Sequence, residues 1–299
     1  MARILLTGAT GFLGSRLVAR LAADHELWAL VRRKPAKADT RCRWLIQDLA
    51  VESWDVALPD RIDAVIHLAQ SPNYRNFPAA AAEIYAVGVA TTMRLADWAA
   101  RSGASRFIVA STGGLYGSSD EPVREDDPLV EDRGPLGFYF ATKRASELIA
   151  AQYAAQMRTF ILRFFFIYGS GQPKQMLMPR LADSVREGRP INLQGKDGIL
   201  INPIHVDDAA RALGQCLHLE QGNTINIAGP EAVSLRYIAE SMASELGGEP
   251  KFAVDASTKP RHLVADIARM RAVLGPPVIG VAEGIRELCG SAMKGRLTV

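Results

Sequence analysis

The chain is poor in cysteine and has no long apolar run. Its three cysteines, Cys42, Cys216 and Cys289, are widely spaced, and no Cys-x-x-Cys or histidine pair at ligand spacing accompanies them. This pattern predicts buried free thiols in a reducing cytoplasm, with no disulfide framework and no metal centre. The most apolar segment, residues 160–168, is interrupted by Arg163 and is far below the ~20 residues of a membrane helix, so we expect a cytoplasmic protein without membrane contact.

A strong excess of one charge is also missing. The 35 lysines and arginines against 32 acidic residues give a net charge of +3, which does not predict a nucleic-acid partner. The apolar start of the chain ends at Thr7 and Gly8, too early for the core of an export signal. The apolar fraction of 48% and the charged fraction of 22% are those of a folded globular protein, which excludes disordered and coiled-coil classes.

Short apolar segments alternate with segments of helical periodicity over the first half of the chain. Such alternation is typical of α/β proteins and predicts a Rossmann-type doubly wound parallel sheet with a smaller C-terminal substrate domain. The predicted strands are residues 3–6, 26–31, 64–68, 106–111 and 160–168, and the predicted helices are residues 14–23, 79–102, broken near Gly88, and 139–156.

The alternation weakens near residue 170, where glycine and proline interrupt the pattern. We therefore predict a dinucleotide-binding domain over residues 1–170. Residues 171–299 then form mostly the substrate-binding domain, with residues 202–228 returning to the sheet through strands at 202–205 and 223–227.

A glycine-rich loop follows the first predicted strand. Gly8, Gly11 and Gly14 are spaced Gly-x-x-Gly-x-x-Gly and lead directly into a helix. Glycines at these positions let the backbone approach a pyrophosphate, and the helix N-terminus favours its negative charge. The alternative is a merely tight turn, but the strand before and the helix after predict a dinucleotide cofactor.

The residues after the second strand bear on which dinucleotide is bound. An acidic residue there would hold the ribose of NAD, whereas Arg32 and Arg33 stand here and favour NADP over NAD. A solvated basic turn and a nucleic-acid patch are the alternatives. Asp48 follows a further apolar segment, where its side chain can bond the adenine or simply form a turn.

Tyr139 and Lys143 lie four residues apart at the start of a helix, on one face. A lysine ammonium favours the phenolate and is expected to lower the tyrosine pKa, so that the phenol can exchange a proton with a substrate hydroxyl. Ser111 and Thr112 end a buried strand at the sheet edge where open α/β folds bind ligands, although such residues also form ordinary turns.

Several motifs spread over nearly the whole chain occur together. They are Thr-Gly-Ala-Thr-Gly-Phe-Leu-Gly at 7–14, Val-Ile-His-Leu-Ala at 65–69, Ala-Ser-Thr-Gly-Gly-Leu-Tyr-Gly at 110–117, Tyr139 with Lys143, Leu-Arg at 162–163 with Tyr-Gly at 168–169, and Ile-His-Val-Asp-Asp at 204–208. Together they resemble the extended short-chain dehydrogenase/reductase family, which includes nucleotide-sugar epimerases, dehydratases and ketoreductases.

The resemblance implies a role for each matching residue. Tyr139 would be the general acid/base, Lys143 would hold the nicotinamide ribose and tune Tyr139, and Thr112 would bind the reacting oxygen. Family members are often homodimers, so a homodimer is expected. The implied cofactor-binding residues are Gly8, Thr10, Gly11, Phe12, Leu13, Gly14, Arg32, Arg33, Asp48, Leu49, Leu68, Ala69, Tyr139 and Lys143; the implied substrate-binding residues are Ser111, Gly113 and Phe166.

The departures from the family pattern concern the substrate. Gly113 and Gly114 stand where family dehydratases carry an acidic pair, which argues against a sugar 4,6-dehydratase. Phe166 and Ile201 replace the usual contacts to a nucleotide diphosphate, and Gly88 replaces the family asparagine of the proton relay. Two alternatives follow. Either a diphosphate contact is supplied in another geometry by Arg163, Lys174, Arg180, Arg189 or Arg261, or the substrate is not a nucleotide sugar.

We therefore expect an NAD(P)-dependent epimerase or ketoreductase that transfers hydride at a secondary alcohol or ketone carbon of a sugar or similar polar small molecule. The alternative is a catalytically silent NAD(P) sensor, which has no need of Thr112, Tyr139 and Lys143 together. The adjacent Asp207 and Asp208 are interpreted as a helix N-cap instead of a catalytic pair.

Overall fold

A computed structural model describes the backbone of residues 1–294 and the side chains of residues 1–290. The chain forms two compact units. Unit 1 comprises Met1–Leu115, Leu129–Arg163 and Ala210–Ile225. Unit 2 comprises Tyr116–Pro128, Phe164–Ala209 and the chain from Asn226 onward. The predicted domain boundary at residue 170 stays a prediction.

The strands and helices alternate through the first half of the chain. The strands are β1 Arg3–Thr7, β2 Glu26–Val31, β3 Cys42–Ile46, β4 Ala64–His67, β5 Arg106–Thr112, β6 Arg158–Phe164, β7 Ile191–Gln194, β8 Leu200–Ile201, β9 Asn223–Ile227, β10 Val233–Ser234 and β11 Phe252–Asp255. The α-helices are α1 Phe12–Leu21, α2 Ala81–Tyr85, α3 Thr91–Arg101, α4 Gly137–Gln152, α5 Leu177–Arg186, α6 Val206–Gln215, α7 Leu235–Leu246, α8 Ala268–Leu274 and α9 Val281–Lys294.

The main sheet has seven strands in the order β3-β2-β1-β4-β5-β6-β9. The pairings among β1 to β5 are all parallel, so these strands end at one edge of the sheet. The chain reverses its direction of travel across the sheet between β1 and β4, and open α/β sheets bind ligands at such a point. The predicted fold class is confirmed.

The strands of unit 1 read as continuous apolar runs because both faces of the sheet are covered. Leu5, Val65 and Phe107 are fully buried in this core. Unit 2 has its own core, in which Met178, Met242 and neighbouring apolar side chains cluster around two small two-stranded sheets, β10 with β8 and β11 with β7. No helix in the described part of the chain is long and apolar enough to cross a membrane.

The predicted break near Gly88 is confirmed. The segment runs as α2, a π turn at Ala86–Ala90, and α3. The Gly88 carbonyl accepts hydrogen bonds from the Thr92 hydroxyl at 2.6 Å and the Ser146 hydroxyl at 3.2 Å. These side-chain donors satisfy a carbonyl at the place where the regular helical ladder is disturbed.

Three local predictions are wrong. Strand β6 ends at Phe164, and Phe166 adopts a φ of 43° in the connection that follows. Residues 202–205 are not a strand, since β8 is Leu200–Ile201 and His205 forms only an isolated bridge to Tyr168. Asp207 and Asp208 are not the N-cap of α6, which begins at Val206, but both lie in its first turn, where the predicted favourable contact with the helix dipole holds. The Asp208 carboxylate also accepts the N–H groups of Val278 and Ile279.

The prediction that the three cysteines are buried free thiols is confirmed. Cys42, Cys216 and Cys289 are buried free thiols. Burial raises the pKa of the Cys42 thiol to about 11, which keeps it protonated and unreactive.

Candidate active site

The loop between β1 and α1 requires its glycines. Gly8 has a φ of +71°, and a Cβ built there would lie 2.8 Å from the backbone of Leu68 and Ala69. A Cβ on Gly14 would overlap the carbonyl of Gly8. The Gly11 N–H donates to the same carbonyl at 2.9 Å, which closes the turn. The glycine spacing in the sequence thus corresponds to a backbone that leaves no room for a side chain at Gly8 or Gly14.

The N-terminus of α1 is open to an anion. Its cap residue, Gly11, is extended and offers no side-chain acceptor, and the first turn contains no acidic residue. The first N–H groups of a helix lack intrahelical partners and carry partial positive charge, so they suit a phosphate. This loop and helix end fit the pyrophosphate of a dinucleotide, and they are the residues that would hold it.

A cavity of about 550 Å³ lies beside this loop. Its wall contains many of the predicted cofactor residues and also Gln47, Ser71, Glu83 and Val87, which the sequence analysis missed. Phe12, Leu13 and Gly14 form the first turn of α1 and do not line it. The predicted residues in the wall are Gly8, Thr10, Gly11, Arg32, Asp48, Leu49, Leu68 and Ala69.

A second cavity, of about 540 Å³, is lined by the basic run after β2. Arg32, Arg33 and Lys34 face it together with Thr10 and Asp48. Asp48 forms the predicted turn, in which its carboxylate accepts the Ala50 N–H at 2.9 Å, and it lines both cavities; its bond to the adenine stays a prediction. The three basic residues make this cavity a suitable site for a phosphate.

His67 ends β4 in the floor of the site. Its Nδ1 lies 2.7 Å from the Thr7 hydroxyl, which also accepts the Ala69 N–H at 3.2 Å. Burial, together with the positive charge of Lys143, lowers the pKa of His67 to about 3. The ring is therefore neutral at physiological pH and acts as a structural hydrogen-bonding group.

The predicted tyrosine, lysine and threonine come together at the carboxyl edge of the sheet. Lys143 is buried and its Nζ donates to the Ala110 carbonyl at 2.8 Å, 5.9 Å from the centroid of the Tyr139 ring. Thr112, the last residue of β5, hydrogen-bonds the Tyr139 phenol. A hydroxyl, a phenol and an ammonium group thus converge, as the spacing along β5 and α4 predicted.

The electrostatics of the pair differ from the prediction. Burial raises the pKa of Tyr139, while the Thr112 hydrogen bond and the charge of Arg75 lower it by less. Burial also lowers the pKa of Lys143 to about 8, against the opposing effect of Glu147. Desolvation outweighs the expected influence of the lysine, so Tyr139 is a neutral phenol that can donate a proton.

Ser111 contacts α4 further along the helix than Thr112 does. Its hydroxyl donates to Glu147 at 2.5 Å, and Arg163 binds the same carboxylate through two contacts of 2.9 and 2.8 Å. All three side chains are buried. Thr112 therefore serves Tyr139 at the start of α4, while Ser111 serves this buried ion pair two turns further along the helix. Arg163 is therefore bound to Glu147 and is not available for a diphosphate.

The connection between β4 and α2 contributes residues that the sequence analysis missed. The Tyr74 ring lies 5.1 Å from the Tyr139 ring, and the Phe77 ring stacks on Phe138 at 4.6 Å. Arg75 lies between these two contacts and donates its Nε to the Tyr74 hydroxyl at 2.9 Å. The sequence analysis missed Tyr74 and Arg75 because they belong to no recognised motif or residue spacing.

The remaining predicted substrate residues are Gly113 and Phe166. Gly113 begins a 3-10 turn, Gly113–Tyr116, directly after β5. The following Gly114 accommodates the Phe140 ring, because a Cβ there would lie 2.6 Å from its Cζ. Phe166 is half-buried and packs against the apolar core of unit 2. Its assignment to the substrate site stays a prediction.

Unit 2 contains one further polar cluster. His205, Asp207 and Glu287 place their ligand atoms within 4.8 Å of one another, and His205 Nε2 lies 3.2 Å from the Glu287 carboxylate. His205 Nδ1 accepts the Asp207 N–H at 3.4 Å, which puts the proton on Nε2, facing Glu287. We interpret the cluster as a close acid–histidine contact, in which His205 Nε2 is buried and has no hydrogen-bond partner of suitable geometry among the described residues.

Comparison with known proteins agrees with this geometry. A Bacillus subtilis (strain 168) protein described as an uncharacterized UDP-glucose epimerase, YtcB, is 27% identical, with 95% of each chain covered. A Streptomyces sp dTDP-4-dehydro-6-deoxy-D-allose reductase is 28% identical over 95% of this chain and 94% of its own.

Among solved structures, MoeE5 in complex with UDP-glucose and NAD superposes with a TM-score of 0.82 at 29% identity, covering 98% of this chain and 99% of MoeE5. Residues 4–228 match the NAD dependent epimerase/dehydratase family. That match spans the glycine loop, the Tyr139–Lys143 pair and most of the main sheet. The chain belongs to the NAD dependent epimerase/dehydratase family.

Proposed function

We propose that this protein transfers hydride at a secondary alcohol or ketone carbon of a nucleotide sugar, as an epimerase or a ketoreductase. The observation that carries the proposal is the convergence of Thr112, Tyr139 and Lys143 at the sheet edge that also holds the glycine loop. The complex of MoeE5 with UDP-glucose and NAD supports the substrate class.

The bound dinucleotide would supply or accept the hydride. Tyr139, being a neutral phenol, donates a proton to the carbonyl oxygen during reduction and takes it back during oxidation. Thr112 donates a hydrogen bond to the same oxygen and fixes its position. Lys143, anchored by the Ala110 carbonyl, presents its charge to the ribose and stabilises the phenolate. A ketoreductase uses one direction only, whereas an epimerase uses both at one carbon.

We further propose that the chain is not a sugar 4,6-dehydratase, although dTDP-glucose 4,6-dehydratases of 25–26% identity are among its relatives. Expulsion of water requires a positioned acid and base, and Gly113 and Gly114 provide neither. A carboxylate at position 114 would collide with the Phe140 ring. Incubation with dTDP-glucose should yield no product lighter by one water in mass spectrometry, and such a product would refute this part.

The preferred cofactor is proposed to be NADP. Arg32 and Arg33 line the cavity of about 540 Å³, and neither is paired with a carboxylate among the described residues. The MoeE5 complex contains NAD, so the preference needs a direct test. We expect NADPH to bind more tightly than NADH in a fluorescence titration, and Arg32→Asp to reverse that order. Tighter NADH binding by the unaltered protein would refute the preference.

The decisive experiment is hydride transfer itself. A ketoreductase should change the absorbance of NADPH or NADH at 340 nm with the keto form of a UDP-sugar, whereas an epimerase, which returns the hydride, should convert a UDP-sugar into its epimer without net change in that absorbance. Tyr139→Phe should lower turnover by about 10²- to 10⁴-fold while leaving dinucleotide binding unchanged, because the phenol is the proton donor. Tyr237→Phe, an exposed tyrosine on α7, is the matched control. Full activity of Tyr139→Phe would remove this residue from the chemistry.

A further inference from the structure

Arg75 is held beside the reacting position by its own segment. Tyr74 on one side contacts the Tyr139 ring, and Phe77 on the other stacks on Phe138. Because Tyr139 and Phe138 are neighbours in the first turn of α4, these two contacts attach the segment to the start of that helix. Arg75 therefore lies close to the phenol that exchanges the proton.

The guanidinium of Arg75 is oriented but not neutralised. Its Nε donates to the Tyr74 hydroxyl at 2.9 Å, and its Cζ lies 5.2 Å from the centroid of the Tyr74 ring. The residue is exposed, and no carboxylate of the described residues pairs with it. Some surface arginines of unit 1, such as Arg41 with Asp39 and Arg101 with Asp97, do have acidic partners, whereas Arg75 shares its lack of one with the cavity-lining Arg32 and Arg33.

The charge of Arg75 reaches the reacting group. It lowers the pKa of Tyr139, in opposition to burial. With Nε bound to Tyr74, the two Nη groups remain as a planar fork, which matches a carboxylate in a bidentate contact. A neutral sugar hydroxyl does not require an unpaired cation at this place, whereas an anionic substituent does.

We propose that Arg75 is a specificity-determining residue that binds a carboxylate on the sugar, at the carbon next to the reacting alcohol. The substrate is then a nucleotide-linked hexuronic acid. This inference rests on the proposed function, because the reacting carbon is placed by Thr112 and Tyr139. A substituent one bond from the reacting carbon lies within reach of a group beside Tyr139, whereas the diphosphate is attached at the far side of the ring.

The test compares UDP-glucuronate, UDP-glucose and UDP by calorimetry on the dinucleotide-loaded protein. Turnover of the two sugars is measured as epimer formation, and that of their keto forms as oxidation of the dinucleotide at 340 nm. We expect the unaltered protein to bind UDP-glucuronate at least about tenfold more tightly than UDP-glucose, as one charge-assisted contact permits. Arg75→Gln should abolish that difference through KM, with little change in kcat. Arg75→Lys, which keeps the charge and loses the fork, should retain part of it.

Arg101→Gln removes an exposed guanidinium elsewhere in unit 1 and should leave the preference unchanged. Equal weakening of all three ligands in Arg75→Gln would assign the residue to the diphosphate and overturn the carboxylate assignment. A persistent preference in Arg75→Gln, or none in the unaltered protein, would also overturn it while the hydride transfer stands. Failure of both sugars to turn over, by epimerisation or by hydride exchange between their keto forms and the dinucleotide, would overturn the proposed function and this inference with it.

Discussion

At the residue scale, burial determines the pKa values of the neighbouring titratable groups in the site. Burial raises the pKa of Tyr139 and lowers that of Lys143, so desolvation favours the neutral form of both. The phenol consequently holds its proton throughout the neutral range. The ammonium group of Lys143 is the one that titrates near physiological pH, and His67 stays neutral because its pKa is about 3.

We expect turnover to fall as the pH rises through about 8. Lys143 is protonated below its pKa of about 8 and becomes a neutral amine above it, so the charge that stabilises the phenolate is lost on the alkaline side. A pH profile of kcat measures this limb. Lys143→Arg should have a lower rate without the limb, since a guanidinium remains charged. A flat profile from pH 7 to 9.5 in the unaltered protein would contradict the assignment.

At the element scale, the loop between β1 and α1 depends on close backbone contact. Gly14→Ala places a methyl group against the Gly8 carbonyl, and overpacking of this kind costs about 1–3 kcal/mol. We expect a lower free energy of unfolding and weaker dinucleotide binding, measured by urea denaturation and by fluorescence titration. Gly290→Ala, which meets nothing within 4 Å on α9, is the control; it should leave dinucleotide binding unchanged and should not lower the free energy of unfolding, since alanine is favoured over glycine in a helix. Equal behaviour of the two variants would contradict the interpretation.

The ion pair of Glu147 and Arg163 joins α4 to β6 beneath the site. Glu147→Gln should lower the free energy of unfolding by about 3–5 kcal/mol, because it leaves a buried guanidinium without a counter-charge. The double variant Glu147→Gln with Arg163→Met should lose less than the single one. Asp97→Asn, which breaks an exposed pair on α3, should cost under about 1 kcal/mol in the same urea denaturation. A loss as small for Glu147→Gln as for Asp97→Asn would contradict the buried pairing.

At the scale of the whole molecule, the net charge of +3 is small, so electrostatic attraction is not expected to drive the association of subunits. Apolar surface is then the feature to consider. Large exposed apolar side chains lie on the helices around the π turn and on α4, including Tyr85, Met93 and Leu148. Exposed apolar groups on packed helices are typical of subunit contacts. The predicted homodimer therefore remains the expectation.

Native mass spectrometry should detect a species of twice the chain mass. Leu148→Glu should convert it to a monomer by placing a charge on α4, and Val254→Glu, an exposed position on β11, should not. A monomer in the unaltered protein at micromolar concentration would refute the homodimer.

The local patterns predicted most of the sheet. Strands β2 and β9 occupy the predicted residues, because apolar runs bounded by polar turns are sufficient to define strands that are buried on both faces. The prediction of a strand at residues 202–205 rests on interpreting them as an apolar segment too, and it is wrong. Ile204 and His205 are fully buried, but they are buried by packing in a connection and not by a strand ladder.

By itself the sequence determined the fold class, the glycine loop and the pairing of Tyr139 with Lys143, because each depends on short-range spacing along one or two elements. Only the tertiary structure decided that Ser111 serves Glu147, that Arg163 is occupied and that Arg75 lies beside the phenol. It also decided the sign of the Tyr139 pKa shift. Burial and charge partners arise from segments distant in the chain, and desolvation depends on everything packed around a group, which spacing along a sequence does not specify.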